Sequence, residues 1–362
     1  MSSYGLYIHI PFCYKKCFYC NFFSRKYNSI LADQYVEALS IHIRKIKNKK
    51  INSIYIGGGT PSSLSYKQME KLLLLINRTF NLKKILEFTV ELNPETASKE
   101  ILHLLNNEGV NRLSFGLQST DDRALKLLGR THNFQTFCKC YENARKEGFD
   151  NINIDLIYGF QNQTINNLKD SLNKVFLFNS EHLSIYPMSI ENNTHFHNKK
   201  VSLNTELQKN MYNIIVDLLS KKKYIQYEIS NWSKYNKHSI HNINYWYNKE
   251  YIGIGAGASG YFNRIRYKNI TNIKKYIKLI KSYKEVKSEK EYINKKLHNT
   301  EAIILGLRLL KEGVDIKCFN SLKYQNILKK CLRYKFLERN GNRIKLNKKY
   351  VFVSNQIIIK FL

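Results

Sequence analysis

The sequence predicts an α/β fold: an open, partial (β/α)6 barrel followed by a smaller α+β C-terminal region. Three observations carry this. Short apolar strands recur through the first half, each followed by a loop and an amphipathic helical stretch. Chemically distinctive residues fall at or just past the ends of those strands. After about residue 200 the alternation gives way to a polar, aromatic stretch and a small mixed module.

The predicted strands cover 5–10, 53–56, 88–92, 112–117, 152–157 and 183–186. Helical patterns lie between them, near 31–48, 65–79, 98–107, 134–147 and 163–177. Strands alternating with helices imply right-handed crossovers and a parallel sheet. Six units are too few for a closed eight-stranded barrel, which makes the expected barrel an open one.

The first strand runs into Cys13-Tyr14-Lys15-Lys16-Cys17-Phe18-Tyr19-Cys20, a C-x3-C-x2-C loop. Three thiolates this close can hold three irons of a cubane cluster and leave the fourth iron open to a small molecule. Protein iron–sulfur clusters usually have four cysteine ligands, so a tight set of three is chemically specific. Two alternatives remain open. Zinc would need a fourth Cys or His at nearby spacing, and His9 is the nearest, inside the strand. The thiols could also be unliganded. Cys138, Cys140, Cys318 and Cys331 form no second paired motif, and Cys138 and Cys140 read as free thiols on a helix. An odd cysteine total and no secretory signal argue against a disulfide framework and for the reducing cytoplasm.

The second strand ends in Gly57-Gly58-Gly59-Thr60-Pro61, where successive glycines let backbone approach a ligand closely. It lacks the Gly-Lys-Ser/Thr ending of a phosphate loop; the alternative is an ordinary tight connection. Glu91 and Asn93-Pro94 end the third strand, and Gln118 ends the fourth. Asp155 sits in the fifth between Ile154 and Leu156, so it faces the other way from them. In parallel barrels, reactive groups collect at the carboxyl ends of strands. Taken singly, Glu91 or Asp155 could be a structural ion pair, and Arg130 with Asp155 could be a buried pair.

The expected organisation is 1–200 as the barrel, 201–298 as a connecting region, and 299–362 as a small, winged-helix-like module. Residues 204–222 and two segments near 299–311 and 320–331 read as helical, with short strands near Phe336 and Ile344. The connecting region holds His241-Asn242-Ile243-Asn244-Tyr245-Trp246 and a glycine-rich run over 253–260. That run contains a formal G-x-G-x-x-G but lacks the strand–turn–helix setting of a dinucleotide site.

Composition bounds the rest. The formal net charge of +31 could mark a nucleic-acid or anionic-membrane surface. The lysines are spread along a chain rich in Lys, Asn and Ile, as AT-rich coding would produce, although 45–50 and 274–296 are dense. A basic surface would also suit an acidic substrate such as a porphyrin with its propionates. No apolar run is long enough to span a bilayer.

Together, the cysteine loop, the Gly-Gly-Gly-Thr-Pro turn and Asn153-Ile154-Asp155-Leu156-Ile157-Tyr158-Gly159 resemble the radical S-adenosylmethionine (SAM) superfamily. Within it the chain is similar to the oxygen-independent coproporphyrinogen III oxidase family over nearly its whole length. The resemblance implies that Cys13, Cys17 and Cys20 hold a [4Fe-4S] cluster whose open iron is chelated by SAM. One-electron cleavage would then give a 5′-deoxyadenosyl radical. It further implies that Tyr7, Gly58 and Glu91 contact the cluster-bound SAM. Gly59, Thr60, Gln118, Arg130 and Asp155 match positions that hold a second SAM.

Two departures point to a subgroup. The oxidases resemble C-x3-C-x2-C-x-C, whereas Phe22 stands at the last cysteine position here. They also carry a longer segment before the cluster loop. Both features resemble the HemW-type haem chaperones, of which oxidative decarboxylation is not expected. The His241-to-Trp246 segment matches their H-N-x-x-Y-W motif, which implies a haem role for His241; His195, His197 and His238 are weaker candidates. The resemblance implies haem as cargo, an acceptor haem protein, and an electron donor of the flavodoxin or ferredoxin class. Transient contact with a membrane surface would fit a respiratory acceptor; a nucleic-acid partner is not expected. The rival reading is a coproporphyrinogen III dehydrogenase.

Overall fold

The computed structural model describes residues 3–362; residues 1 and 2, counted in the first expected segment, lie outside them. In chain order the long strands are β1 (Tyr4–Ile10), β2 (Ile51–Gly58), β3 (Glu87–Leu92), β4 (Arg112–Gln118), β5 (Ile152–Tyr158) and β6 (His182–Pro187). They are followed by β7 (Tyr251–Ile254), β8 (Ser259–Phe262), β9 (Ile265–Asn269) and β10 (Lys287–Tyr292). All six expected strands are present, five of them longer by one or two residues and the second, Ile51–Gly58, by four. They pair in parallel in the order β1-β2-β3-β4-β5-β6. No pairing joins β6 back to β1 among the described residues, so the barrel is open.

Helices α1 (Ser29–Lys45), α2 (Tyr66–Thr79), α3 (Lys99–Asn107), α4 (Phe134–Lys146) and α5 (Ile165–Phe176) return the chain between strands. Each begins where a short polar side chain captures an otherwise unpaired N–H of the first turn. The caps are Asn28, Ser65, Ser98, Asn133 and Thr164. Ser65 and Gln68 close a reciprocal capping box. Strand residues alternate in character. Ile54, Ile56, Phe88, Val90, Leu113, Phe115 and Ile154 point outward into the layer beneath the helices and are fully buried. Their neighbours point into the lumen, and most are polar: Ser53, Tyr55, Glu87, Thr89, Glu91, Arg112, Ser114, Asn153, Asp155, His182 and Ser184.

Residues beyond 200 extend the same sheet at both edges. Asn231–Ser233 pairs antiparallel with β6, and Ile225–Gln226 pairs with it in turn. On the other side β7 lies parallel to β1, and β8, β9 and β10 continue antiparallel. The glycine-rich run is thus the link from β7 to β8, a turn between antiparallel strands with no helix after it. A short helix, α6 (Ile240–Trp246), holds the H-N-x-x-Y-W segment, where the sequence showed no regular element. The C-terminal residues carry helices Lys295–Gly306 and Leu322–Arg333 and a three-stranded antiparallel sheet built on the hairpin Leu337–Asn340 and Arg343–Leu346. No helix among the described residues is long and apolar enough to cross a membrane.

Candidate functional site

The cysteine loop leaves β1 at Pro11 and is tied at its base. Phe12–Cys13 pairs in parallel with Arg25–Lys26, Arg25 N donates to Pro11 O (2.8 Å), and Tyr27 N donates to Cys13 O (2.9 Å). Cys20 N donates to Cys17 O (3.2 Å), which folds the middle of the loop into a turn. All three thiols are free and partly exposed. Burial raises the Cys13 thiol and pushes that of Cys20 up to about 11. Such thiols stay protonated until a metal displaces the proton. Among the described residues no three His, Cys, Asp or Glu groups converge as around a single metal ion. A cubane instead takes its thiolates at separate corners. Gly59 makes room for the loop: a Cβ there would lie 2.7 Å from Phe12 O and 3.0 Å from Cys13 Sγ. The donor chemistry and this cradle fit a three-thiolate cluster. Phe22, where a fourth cysteine would stand, is 65% exposed.

Side chains from the strand ends reach the loop. Thr60 Oγ1 lies 3.4 Å from Cys13 Sγ and accepts from Asn93 Nδ2 at 3.1 Å. Arg130 donates to Cys17 Sγ (3.5 Å), Asn93 Oδ1 (2.8 Å) and Gly116 O (2.5 Å). Gln118 has φ +69° at the end of β4, beside a register shift that turns it back over Gly116. A Cβ on Gly116 would sit 3.0 Å from Gln118 Nε2 and 3.3 Å from Arg130. Phe18, Leu128, Phe160, Met188 and Phe196 form a second apolar cluster under the loop. His195 stacks on Phe18 with centroids 4.4 Å apart.

A second group forms around Glu91. Its Oε2 accepts from Gly58 N (3.1 Å) and its Oε1 from Tyr55 OH (2.7 Å). Burial, reinforced by Asp155, pushes its carboxyl up to about 7 despite those two bonds. Gly58 has φ +120°, and a Cβ there would strike the His9 ring at 2.6 Å, so glycine is required. Tyr7 OH bonds His9 Nδ1 at 2.9 Å. Asp155 accepts from Asn153 Nδ2 (2.8 Å) and Ser114 Oγ (3.2 Å), and burial raises its carboxyl. Arg130 and Asp155 therefore have separate partners. The structure brings Thr60 and Arg130 to the cysteine loop, with Gly59 beneath it and Gln118 beside Arg130. It gathers Tyr7, Gly58 and Glu91 alongside, and sets Asp155 deeper.

His241 lies at the opposite end of the lumen, on α6, and is 1% exposed. Its Nδ1 bonds Ser53 Oγ (3.0 Å) and its Nε2 bonds Tyr245 OH (2.7 Å). Burial, with Arg112 adding to it, lowers its pKa to about 3 and keeps the ring neutral. Both ring nitrogens are engaged, so in this arrangement neither is open to iron. His238 stacks on Tyr227 at 4.3 Å. Cys140 is buried against the sheet and donates to Ala97 O. His197 lies beside His195 in the short helix His195–Asn198.

Sequence reasoning missed the floor of the lumen. Glu87 accepts from Ser239 Oγ, Ile240 N and His241 N, and so fixes the start of α6. Arg112 is 1% exposed among these groups, and His182 joins Asn153 to Tyr227. The signal was available: Glu87, Thr89 and Glu91 alternate with Phe88, Val90 and Leu92, as do Arg112 and Ser114 with Leu113 and Phe115.

The radical SAM superfamily model matches residues 7–175. The heme chaperone HemW of Lactococcus lactis subsp. lactis (strain IL1403) is 38% identical over 369 aligned residues, covering 98% of this chain and 96% of that protein. Its counterpart from Bacillus subtilis (strain 168) is 39% identical over 330 residues, covering 86% of this chain and 85% of that protein. The radical SAM enzyme coproporphyrinogen III oxidase (HemN) from Escherichia coli superposes with a TM-score of 0.86 at 20% identity, covering 99% of this chain and 90% of that one. That likeness is one of fold. The open parallel barrel, the cysteine loop at its rim and the full-length relationship lead to one assignment: this chain belongs to the HemW family of the radical SAM superfamily.

Proposed function

We propose that this chain is a haem chaperone that binds a [4Fe-4S] cluster on Cys13, Cys17 and Cys20, binds SAM at the barrel rim, and passes haem to an acceptor haem protein. The observation that carries the reading is the tied cysteine loop facing Thr60 and Arg130, in a chain whose relatives of matching length are named heme chaperones. A cluster bound there would supply low-potential electrons and one coordination site for SAM. The residues have roles that follow from their chemistry. Arg130 lies beside the thiolates and offers paired N–H groups to a carboxylate. Glu91, Gly58 and Tyr7 face the cluster-bound SAM; Gly59, Thr60, Gln118, Arg130 and Asp155 face a second one. The Phe18–Phe196 apolar cluster excludes water from the side of the loop.

Haem coordination by His241 would require Nε2 to be released from Tyr245. The electron donor is proposed as a flavodoxin or ferredoxin, and the location as the cytoplasm with brief contact at a membrane surface. Free cysteines support the reducing compartment. Haem titration of anaerobically reconstituted wild type and His241→Ala tests the reading. Saturable binding by the wild type, weakened in the variant, supports it. Equal binding by both removes His241 from the site, and no binding by the wild type overturns the chaperone. Release of carbon dioxide from coproporphyrinogen III would favour a dehydrogenase instead.

A further inference from the structure

One side chain touches both ends of the lumen. The Tyr55 ring lies against His241, with centroids 5.2 Å apart and planes 29° apart. Its hydroxyl donates to Glu91 Oε1 at 2.7 Å. Neither contact has slack. A Cβ on Gly57 would lie 2.8 Å from Glu91 Oε2 and 2.9 Å from Tyr55 Cε1, and a Cβ on Gly5 would lie 3.2 Å from His241 Cε1. Ser53, two residues before Tyr55 on the same strand face, holds His241 Nδ1. A movement of His241 therefore meets Tyr55 directly, and a movement of Tyr55 changes the acceptor bond of Glu91.

We propose that Tyr55 is a positioning residue that orients the Glu91 carboxylate toward SAM and couples it to His241, so that displacing His241 changes SAM affinity. The inference rests on the proposed reading that Glu91 faces SAM. Its physical content is a linkage: whatever binds or moves His241 shares a coupling free energy with SAM, and the effect is reciprocal. Glu91 is faced by Tyr7, Tyr55, Asp155, Arg112 and Tyr245. Of these, Tyr55 donates directly to its carboxylate and lowers its proton affinity; Gly58 N does the same from the backbone.

SAM is titrated into anaerobically reconstituted wild type, Tyr55→Phe, Tyr55→Leu, His241→Ala and the Tyr55→Leu/His241→Ala double variant. Iron content and thermal melting establish that each is loaded and folded. Tyr55→Phe keeps the ring and loses the hydroxyl. It is expected to weaken SAM binding on the order of tenfold and to move the acid-side loss of binding to higher pH. A structural filler would not move that midpoint. His241→Ala is expected to change SAM affinity in the wild-type background and not in Tyr55→Leu, a non-additive cycle. Unchanged affinity and midpoint in Tyr55→Phe, or additive effects, would overturn the inference alone. A loaded wild type that binds no SAM would overturn the reading of the site and the inference with it.

Discussion

Replacing Glu87 with alanine attacks the floor of the lumen, where α6 is fastened to β3. The carboxylate accepts from Ile240 N at 2.6 Å, His241 N at 3.3 Å, Ser239 Oγ at 3.1 Å and Thr89 Oγ1 at 3.1 Å, and Glu87 is 2% exposed. Ser239 and His241 among its donors are buried, and Ile240 is half-buried. A buried donor left without an acceptor costs about 1–3 kcal/mol, and two backbone N–H groups lose theirs. A negative charge at a helix N-terminus adds about 0.3–2 kcal/mol. Hydroxyls can rotate to other partners, so they contribute less. The expected destabilisation is about 3–5 kcal/mol, a large part of the stability of a typical domain. Guanidinium unfolding followed by the fluorescence of Trp232 and Trp246 measures it. Hydrogen exchange over 240–246 should accelerate by a comparable factor. Glu87→Gln keeps one acceptor oxygen and should recover about half. A Glu87→Ala protein within about 0.5 kcal/mol of wild type, with unchanged exchange at α6, would refute the fastening argument.

Other substitutions test the rim and the buried charges. Gly59→Ala should fold but load little iron, because its Cβ would press on Phe12 O and Cys13 Sγ; iron content against circular dichroism separates the two. Arg130→Lys loses the fork that reaches Cys17, Asn93 and Gly116 at once, and should weaken SAM binding about ten- to a hundredfold at unchanged iron content, read by titration. Acid should destabilise the fold. His42 and His241 are held neutral by burial with pKa values about 3, below their ordinary value, so unfolding takes up protons and stability falls as pH drops below about 6.5. Glu91, raised to about 7, acts in the opposite sense: its contribution is present at low pH and lost as pH rises through that value. Each histidine held neutral in this way removes up to about 1.4 kcal/mol per pH unit between pH 6 and 5, where the unfolded imidazole is charged and the folded one is not. His42→Gln, remote from the rim, should flatten that slope by about one proton in denaturant titrations at each pH.

The barrel was legible because its code is local. Each β–α unit announces itself by a short apolar run, a loop and an amphipathic helical stretch, and the rim residues sit at fixed places relative to those runs. Cys13, Gly58, Glu91 and Gln118 stand at such places, at or just past the strand ends. What lay beyond 200 was less legible because it depends on pairing between distant segments. Strand β7 is four residues long and gains its identity from lying against β1, some 240 residues earlier in the chain. Helix α6 has only seven residues, and its start is fixed by Glu87 on another element. Periodicity cannot reveal such a helix. His241 shows the same limit from the other side. Its motif implied a haem ligand, while the contacts that occupy both of its nitrogens come from Ser53 and from Tyr245 one turn on.

The central claim is a cluster held by three thiolates on the Cys13–Cys20 loop. Mössbauer spectra with iron and sulfide analysis of oxygen-free, reconstituted protein test it most directly, set against a triple variant with serine at residues 13, 17 and 20. The account predicts about four irons per wild-type chain, one of them changing its spectrum when SAM is added, and none retained by the variant. The same centre surviving in the variant, or a wild type that assembles no cluster, would contradict it.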